Sequence, residues 1–250
     1  MRLFLKLPTL RDKKLLPTLW DLLNRKKILK IRPSHLIMGS ALFLSGCSYR
    51  STSFPDSTVQ AERKIFHRPE IIAIDAGHGG KDPGASSQEK RYEEKELTLS
   101  TAYLVRDYLT RLGYRTLLTR SQDSYVSLDS RADAANTLHA DLFVSIHYNY
   151  SSNKEAQGIE IYYKKIGSKK LGDDVLKKII HHTKASSRGV KKGDFAVIRE
   201  TKMPAILIEG GFLSNPEERK KLKDPKYLEE IAQGIAEGID AHLCSQRDSS

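Results

Sequence analysis

The chain has 250 residues and a formal net charge of +11, enough sequence for one domain of ordinary size with residues to spare. Residues 1–46 hold ten Lys or Arg against Asp12 and Asp21, a balance of +8, so residues 47–250 carry 11 − 8 = +3. The basic excess sits at one end, which removes most of the argument for nucleic-acid binding, since that wants a basic face on the folded domain itself.

That basic end runs into the apolar stretch Leu36–Leu44 and then Ser45-Gly46-Cys47, the layout of a secretory signal with its charged region, apolar core and small-residue exit. The apolar core has about half of the ~20 residues that a spanning helix needs. Leu44-Ser45-Gly46-Cys47 resembles the lipobox of bacterial lipoproteins. The resemblance implies lipid on Cys47, attachment to a membrane through that lipid, and a periplasmic location, with Ser48 favouring the outer membrane. Cys244 is the only other cysteine, so a lipidated Cys47 rules out an internal disulfide and leaves Cys244 a bystander thiol. Ser48 to Pro69 is rich in Ser, Thr, Pro and charge without a period and reads as a tether. The expected division is a signal with lipobox at 1–46, a flexible tether at 47–69, a folded domain at 70–245 and a disordered tail at 246–250.

The domain opens on Ile71-Ile72-Ala73-Ile74, a buried strand that stops at Asp75-Ala76-Gly77-His78-Gly79-Gly80, a turn whose glycines let backbone and imidazole approach a ligand closely. Leu97, Thr101, Leu104, Val105, Tyr108, Leu109 and Leu112 fall at helical spacing, with Gly113 placed to end the helix. Tyr114 to Leu118 reads as a strand, and Leu128 to Leu138 as a helix with an apolar face of Ala132, Ala135 and Leu138. Asp141 to His147 is a second buried strand. Ile159, Ile161 and Tyr163 alternate with polar residues, as in an antiparallel or edge strand. Leu171 to His182 reads as a helix, Phe195 to Ile198 as a short strand, and Pro204 to Ile208 as a buried strand ending at Glu209-Gly210-Gly211. Leu228, Ile231, Ala232, Ile235, Ala236, Ile239 and Leu243 mark the last helix. The alternation of strands and helices, without internal repeats, predicts a single α/β domain.

Three of the predicted strands end in His78, His147 and Glu209. In open α/β sheets ligands bind beyond the carboxyl ends of the strands, so these residues should converge. Two imidazoles and a carboxylate are the protein ligands of a catalytic zinc, with a fourth position left for water. Glu93, Glu94 and Glu96 all precede the first helix, and spacing alone does not choose among them. The sequence has no His-Glu-x-x-His pair, which excludes the zinc-protease helix motif. His139, His181, His182 and His242 read as ordinary structural histidines.

Five blocks, Ile74 to Ala85, Glu94-Lys95-Glu96-Leu97-Thr98-Leu99, Leu118-Thr119-Arg120, Ser145-Ile146-His147-Tyr148-Asn149 and Leu207 to Asn215, resemble the zinc-dependent N-acetylmuramoyl-L-alanine amidases of bacterial cell walls. They occur in order over roughly residues 70 to 243. The resemblance implies a mixed, mostly parallel sheet flanked by helices, a phosphorylase/hydrolase-like architecture. It implies His78, Glu94 and His147 as ligands of one Zn2+ per chain, Glu93 and Glu96 as neighbours, and Glu209 as the catalytic glutamate. The bond to be hydrolysed joins the lactyl group of N-acetylmuramic acid to L-alanine, in peptidoglycan or muropeptides. Asn149 and Arg199 are candidates for holding substrate. Ala76 stands where many relatives have proline, a change expected to affect loop stiffness more than chemistry. Some relatives carry an inserted helix that plugs the site. Between Tyr163 and Phe195 there is no room for one, so an open site that needs no activator protein is expected, in a monomer.

Three other readings compete. One is a non-catalytic cell-wall-binding lipoprotein. Another is a penicillin-binding-type serine carboxypeptidase activity, suggested by Ser87 with Lys90, Ser151 with Lys154, Ser151-Ser152-Asn153 and Lys191-Lys192-Gly193, short patterns that arise by chance in a Ser- and Lys-rich chain. The third is a zinc carboxypeptidase acting on other peptides.

Overall fold

A computed structural model describes residues 69–85 and 93–248, all within one structural unit, Asp56–Ser250. The expected signal, Cys47, the tether as far as residue 68, and the Ser87/Lys90 pair lie outside the described residues.

Six strands make one sheet: β1 (Ile71–Ala76), β2 (Arg115–Leu118), β3 (Leu142–Asn149), β4 (Ile159–Tyr163), β5 (Ser187–Lys192) and β6 (Ala205–Phe212), in the order β2-β1-β3-β6-β4-β5. The β2, β1, β3 and β6 strands run parallel, β4 is antiparallel to β6, and β5 is parallel to β4. This is the expected mixed, mostly parallel sheet. Among the described residues the α-helices are α1 (Glu94–Arg111), α2 (Leu128–Thr137), α3 (Lys169–Thr183), α4 (Ala196–Arg199), α5 (Pro216–Leu222) and α6 (Pro225–Arg247).

Helices cover both faces of the sheet, which is why β1 reads as an uninterrupted apolar run and is buried at every position. Ile72, Ile74, Val144, Ile146, Ile206 and Ile208 point to the side packed by α1, α3 and α6. Ala73, Phe143, Ala205 and Leu207 point to the other, where Ala135 of α2 and Val197 and Ile198 of α4 meet them. Burying an Ile or Leu side chain contributes about 1.5–3 kcal/mol, so a slip of one residue in any central strand would exchange two apolar sets of different shape and is strongly disfavoured.

Several elements depart from expectation. Phe195–Ile198 is not a strand: Ala196–Arg199 forms one helical turn whose Val197 and Ile198 plug the second core, and so short an apolar run carries no period to tell the two apart. Ser187–Lys192 is a strand although it reads as polar, because its only strand partner among the described residues is β4 and none of it is buried. It forms the sheet edge, while β4, expected as an antiparallel or edge strand, is the antiparallel one, and the basic residues of β5 suit an edge that must resist further pairing. Strands β3 and β6 continue two and three residues beyond His147 and Glu209. Leu112 and Leu138, expected on buried faces, are 48 % and 51 % exposed. Helix α5 was not expected. Asn215 caps it by accepting from the Glu217 and Glu218 amides, and Pro216 opens it. Helix α6 runs to Arg247, whose guanidinium forks onto Glu70 at 2.7–3.0 Å, so Gln246 and Arg247 belong to the fold and not to a tail.

Candidate active site

The turn after β1 is held from beneath. His78 has φ +61°, a left-handed conformation that costs a non-glycine residue roughly 1–3 kcal/mol unless its surroundings enforce it. Two buried arginines do so. Arg131 donates to the carbonyls of Ala76 at 2.6 Å and His78 at 2.7 Å, and Arg120 donates to those of Ala76 and Gly77, both at 2.9 Å. Arg131 in turn meets the fully buried Asp75 at 2.8 Å, whose two oxygens also accept from the Thr119 and Ser145 hydroxyls at 2.6 Å. Burial alone would raise the Asp75 pKa, but the Arg131 charge and these hydroxyls hold it below the ordinary carboxylate value.

Above that base three donor atoms converge. His78 Nε2 and His147 Nδ1 lie 3.1 Å apart, and Glu94 Oε1 is 3.1 Å from the first and 3.0 Å from the second. The other His78 nitrogen, Nδ1, meets Asp82 Oδ2 at 2.8 Å. That bond fixes the tautomer with the Nε2 lone pair directed inward. Glu94, the first residue of α1, is pinned by two backbone amides: Tyr148 N–H donates to Oε1 at 3.0 Å and Ala85 N–H to Oε2 at 2.8 Å. Burial works to raise the Glu94 pKa, but hydrogen bonds and charge from His147 and His78 outweigh it and bring the value to about 2. Its anionic form is thus built in. Two glycines leave the space: a Cβ at Gly77 would lie 2.5 Å from His147 Nε2, and one at Gly84 would lie 2.6 Å from both Glu94 Oε2 and His78 Cδ2.

These residues suit a divalent metal. Donor atoms bonded at about 2.0–2.2 Å in a tetrahedral arrangement stand about 3.3–3.5 Å apart, so the triangle of 3.0–3.1 Å needs to open by only a few tenths of an ångström. Two nitrogens and a carboxylate oxygen are a zinc-type donor set. Glu209 on β6 stands in register with His147 on β3 and lines the same pocket of 510 Å³, together with Tyr148, Asn149, Tyr150, Phe195 and the triad. Glu209 Oε2 is buried with no hydrogen-bond partner. Burial, and then the charges of Glu94 and Glu160, push the Glu209 pKa well above the ordinary value. An orphaned buried carboxylate facing three convergent donors is a group awaiting a proton or a cation.

Residues 72–241 match the family model Amidase_3, N-acetylmuramoyl-L-alanine amidase. The chain belongs to the N-acetylmuramoyl-L-alanine amidase family. It is 38 % identical over 184 residues to the sporulation-specific N-acetylmuramoyl-L-alanine amidase of Bacillus subtilis strain 168, covering 72 % of this chain and 70 % of that one. It is similar in structure to the catalytic domain of CwlV, an amidase of Bacillus (Paenibacillus) polymyxa var. colistinus (40 % identity, TM-score 0.68, covering 70 % of this chain and 98 % of that one). The CwlD amidase of Clostridioides difficile, solved in complex with the GerS lipoprotein, is also similar (32 %, TM-score 0.68, 70 % and 99 %). The fold, the peptidoglycan amidase activity and a triad able to hold the family's metal agree across sequence, structure and relatives.

Within this amidase, the other expected residues fall on either side of the site. Asn149 lines the pocket, and its Nδ2 donates to Glu160 at 2.8 Å. Arg199 does not line it: the side chain is 43 % exposed and pairs with Glu200 at 2.7 Å and Asp194 at 3.3 Å. Glu93 and Glu96 stay outside the triad, with Glu93 paired to Lys95 at 3.2 Å. The Ser151/Lys154 pattern is not assembled, because Ser151 Oγ accepts from the Asn153 amide and Lys154 lies over the Tyr150 ring. Lys191 is drawn to Glu160. His242, read as ordinary, is 1 % exposed and meets Asp174 at 3.0 Å, a packing role. Sequence reasoning missed Asp82, Asp75, Arg131 and Glu160. Asp82 lies inside a quoted block and Asp75 at a strand end, but nothing local marks Arg131 or Glu160.

Proposed function

We propose that this peptidoglycan amidase is a zinc enzyme in which His78, Glu94 and His147 hold the metal and Glu209 is the general base. The observation that carries this reading is the triangle of donor atoms beside a buried carboxylate oxygen that has no partner. Bound there, zinc supplies a Lewis acid that polarises the scissile carbonyl and acidifies a water. Glu209 accepts a proton from that water as its oxygen attacks the lactyl carbonyl. As the C–N bond breaks, Glu209 returns the proton to the leaving amine of L-alanine, so water and amide become a lactyl carboxylate and a free amino terminus. With a divalent charge held by the triad, Glu209 would be favoured in its ionised form against the burial that raises its pKa. Asp82 keeps His78 in the ligating tautomer, while Tyr148 and Ala85 amides hold Glu94 against rotation.

We further propose that the chain is exported, lipidated on Cys47 and anchored in the periplasm, with the outer membrane favoured, and that it acts as a monomer. CwlD forms a complex with the GerS lipoprotein. Activity without a partner is proposed here because the chain from Tyr163 to Phe195 folds into α3 against α6 and β5 against β4, with Phe195 at the rim of the pocket.

The test is digestion of defined muropeptides by the purified protein, with and without a chelator, and identification of products by mass. Release of stem peptides with a free L-alanine amino terminus, lost with the chelator and restored by zinc, is expected. Glu209→Ala should abolish release while retaining zinc, and His78→Ala should lose both. Full activity of either variant would overturn the assignment.

A further inference from the structure

A charged cluster beside the pocket is unused by the reaction as derived. Glu160 on β4 stands in register with Glu209 across the antiparallel β4–β6 pair, so the two side chains leave the same face of the sheet. Glu160 is 3 % exposed and four donors converge on it: Asn149 Nδ2 at 2.8 Å and the Tyr162 hydroxyl at 2.9 Å on Oε1, Arg188 Nε at 2.9 Å and Lys191 Nζ at 2.5 Å on Oε2. Neutralising one carboxylate takes one cation, yet two come to the same oxygen, and both stay partly in water at 37 % and 41 % exposure. Arg188 is further fixed by its stacking over Phe212 at 5.0 Å and by a bond from Nη1 to the Gln157 carbonyl. The result is a net positive charge, on pre-oriented donors, joined to the pocket wall through Asn149.

We infer that Arg188 and Lys191, held by Glu160, form an anion subsite that binds a carboxylate of the stem peptide being released. This rests on the amidase reading. On the glycan side the lactyl carboxyl is consumed in the scissile amide, so the free carboxylates of the substrate belong to the peptide. The distance selects which ones. The charged ends of Arg188 and Lys191 lie on Glu160 of β4, two strands from the triad residue His147 on β3, about 10 Å at about 4.8 Å per strand, and an extended peptide advances about 3.3 Å per residue. The carboxylate bound there is that of the second or third stem residue. Arg188 presents a planar fork suited to carboxylate, and Lys191 a second point charge.

The experiment compares two muropeptides identical but for their second and third stem residues, whose carboxylates are free in one and amidated in the other. The zinc-loaded enzyme should favour the free acid in kcat/KM by about tenfold or more, the scale of a charge-assisted hydrogen bond, with the difference in KM. Arg188→Gln and Lys191→Gln should each reduce that ratio several-fold, the double variant should bring it near one, and added salt should shrink it in the parent enzyme. Cleavage of both substrates with equal kcat/KM by the parent overturns the subsite and leaves the amidase reading standing. Equal losses on both substrates in the variants, with a lowered Tm, assign the cluster to folding and overturn it too. Cleavage of neither substrate defeats the amidase reading and this inference with it.

Discussion

Gly77→Ala tests whether the triad depends on the space beneath it. Gly77 follows β1, and its φ is not in the left-handed range, so alanine is acceptable to the backbone and the whole effect should be steric. The new Cβ would lie 2.5 Å from His147 Nε2 and 2.7 Å from Nδ1, where ordinary contact is about 3.5 Å. The imidazole must therefore retreat by about 1 Å. It has little room: Nδ1 is 3.0 Å from Glu94 Oε1, and Tyr148, the next residue, is 1 % exposed with its amide on the same carboxylate. Overpacking of this kind costs about 1–3 kcal/mol, and a ligand displaced by about 1 Å costs on the order of 10²-fold in turnover. Zinc affinity by competition with a chromophoric chelator should fall at least tenfold, kcat/KM about 10²-fold, and Tm by only several degrees. Parental zinc affinity together with parental turnover would refute the steric argument. A large Tm loss at unchanged zinc affinity would show that the strain is relieved in the backbone and not at His147.

Other outcomes follow from the buried charges. Glu209→Gln should lower kcat by about 10²–10⁴-fold, the range for a general base, yet raise the Tm of the metal-free protein near neutral pH. The folded pKa of Glu209 lies above its unfolded value of 4.5, so its ionisation opposes folding as pH rises past 4.5, and glutamine removes that cost; thermal scans at two pH values check the sign. Glu94 acts in the opposite direction. Its stabilisation of the metal-free fold, about 3 kcal/mol, is full above 4.5 and is lost as pH falls toward about 2, so the stability difference between parent and Glu94→Gln should shrink over that interval in urea titrations. Arg131→Ala leaves the fully buried Asp75 without its ion pair, a loss of about 3–5 kcal/mol, read as a fall in Tm on the order of 10 °C; Asp75→Asn in the same background should recover part of it.

The central architecture was legible in the sequence because its causes are local. Ile71–Ile74, Phe143-Val144 and Ala205–Ile208 are apolar on both faces, which only a strand covered on both sides needs, and Val105, Leu109, Ile231, Ile235 and Ile239 repeat at the helical period. His78, His147 and Glu209 were legible for a related reason: polar residues close to the ends of such runs mark the sheet edge where ligands bind. Spacing left Glu93, Glu94 and Glu96 equal. The five-block resemblance chose Glu94, and the amides of Ala85 and Tyr148, 9 and 54 positions away, are what hold it in the triad. The edge strand β5 and the one-turn helix α4 escaped because they are short and take their conformation from neighbours on β4 and α2. The chain by itself therefore determined the layers, the site's corner residues and the chemistry available to them. The tertiary structure alone decided how Glu94 is held beside His78 and His147, that Arg120 and Arg131 clamp the His78 turn, and that Glu160 gathers Arg188 and Lys191 beside Glu209. The reason is that local periodicity encodes which face is buried, whereas an ion pair or a ligand triangle is set by distances between residues 16 to 69 positions apart, which no local pattern records.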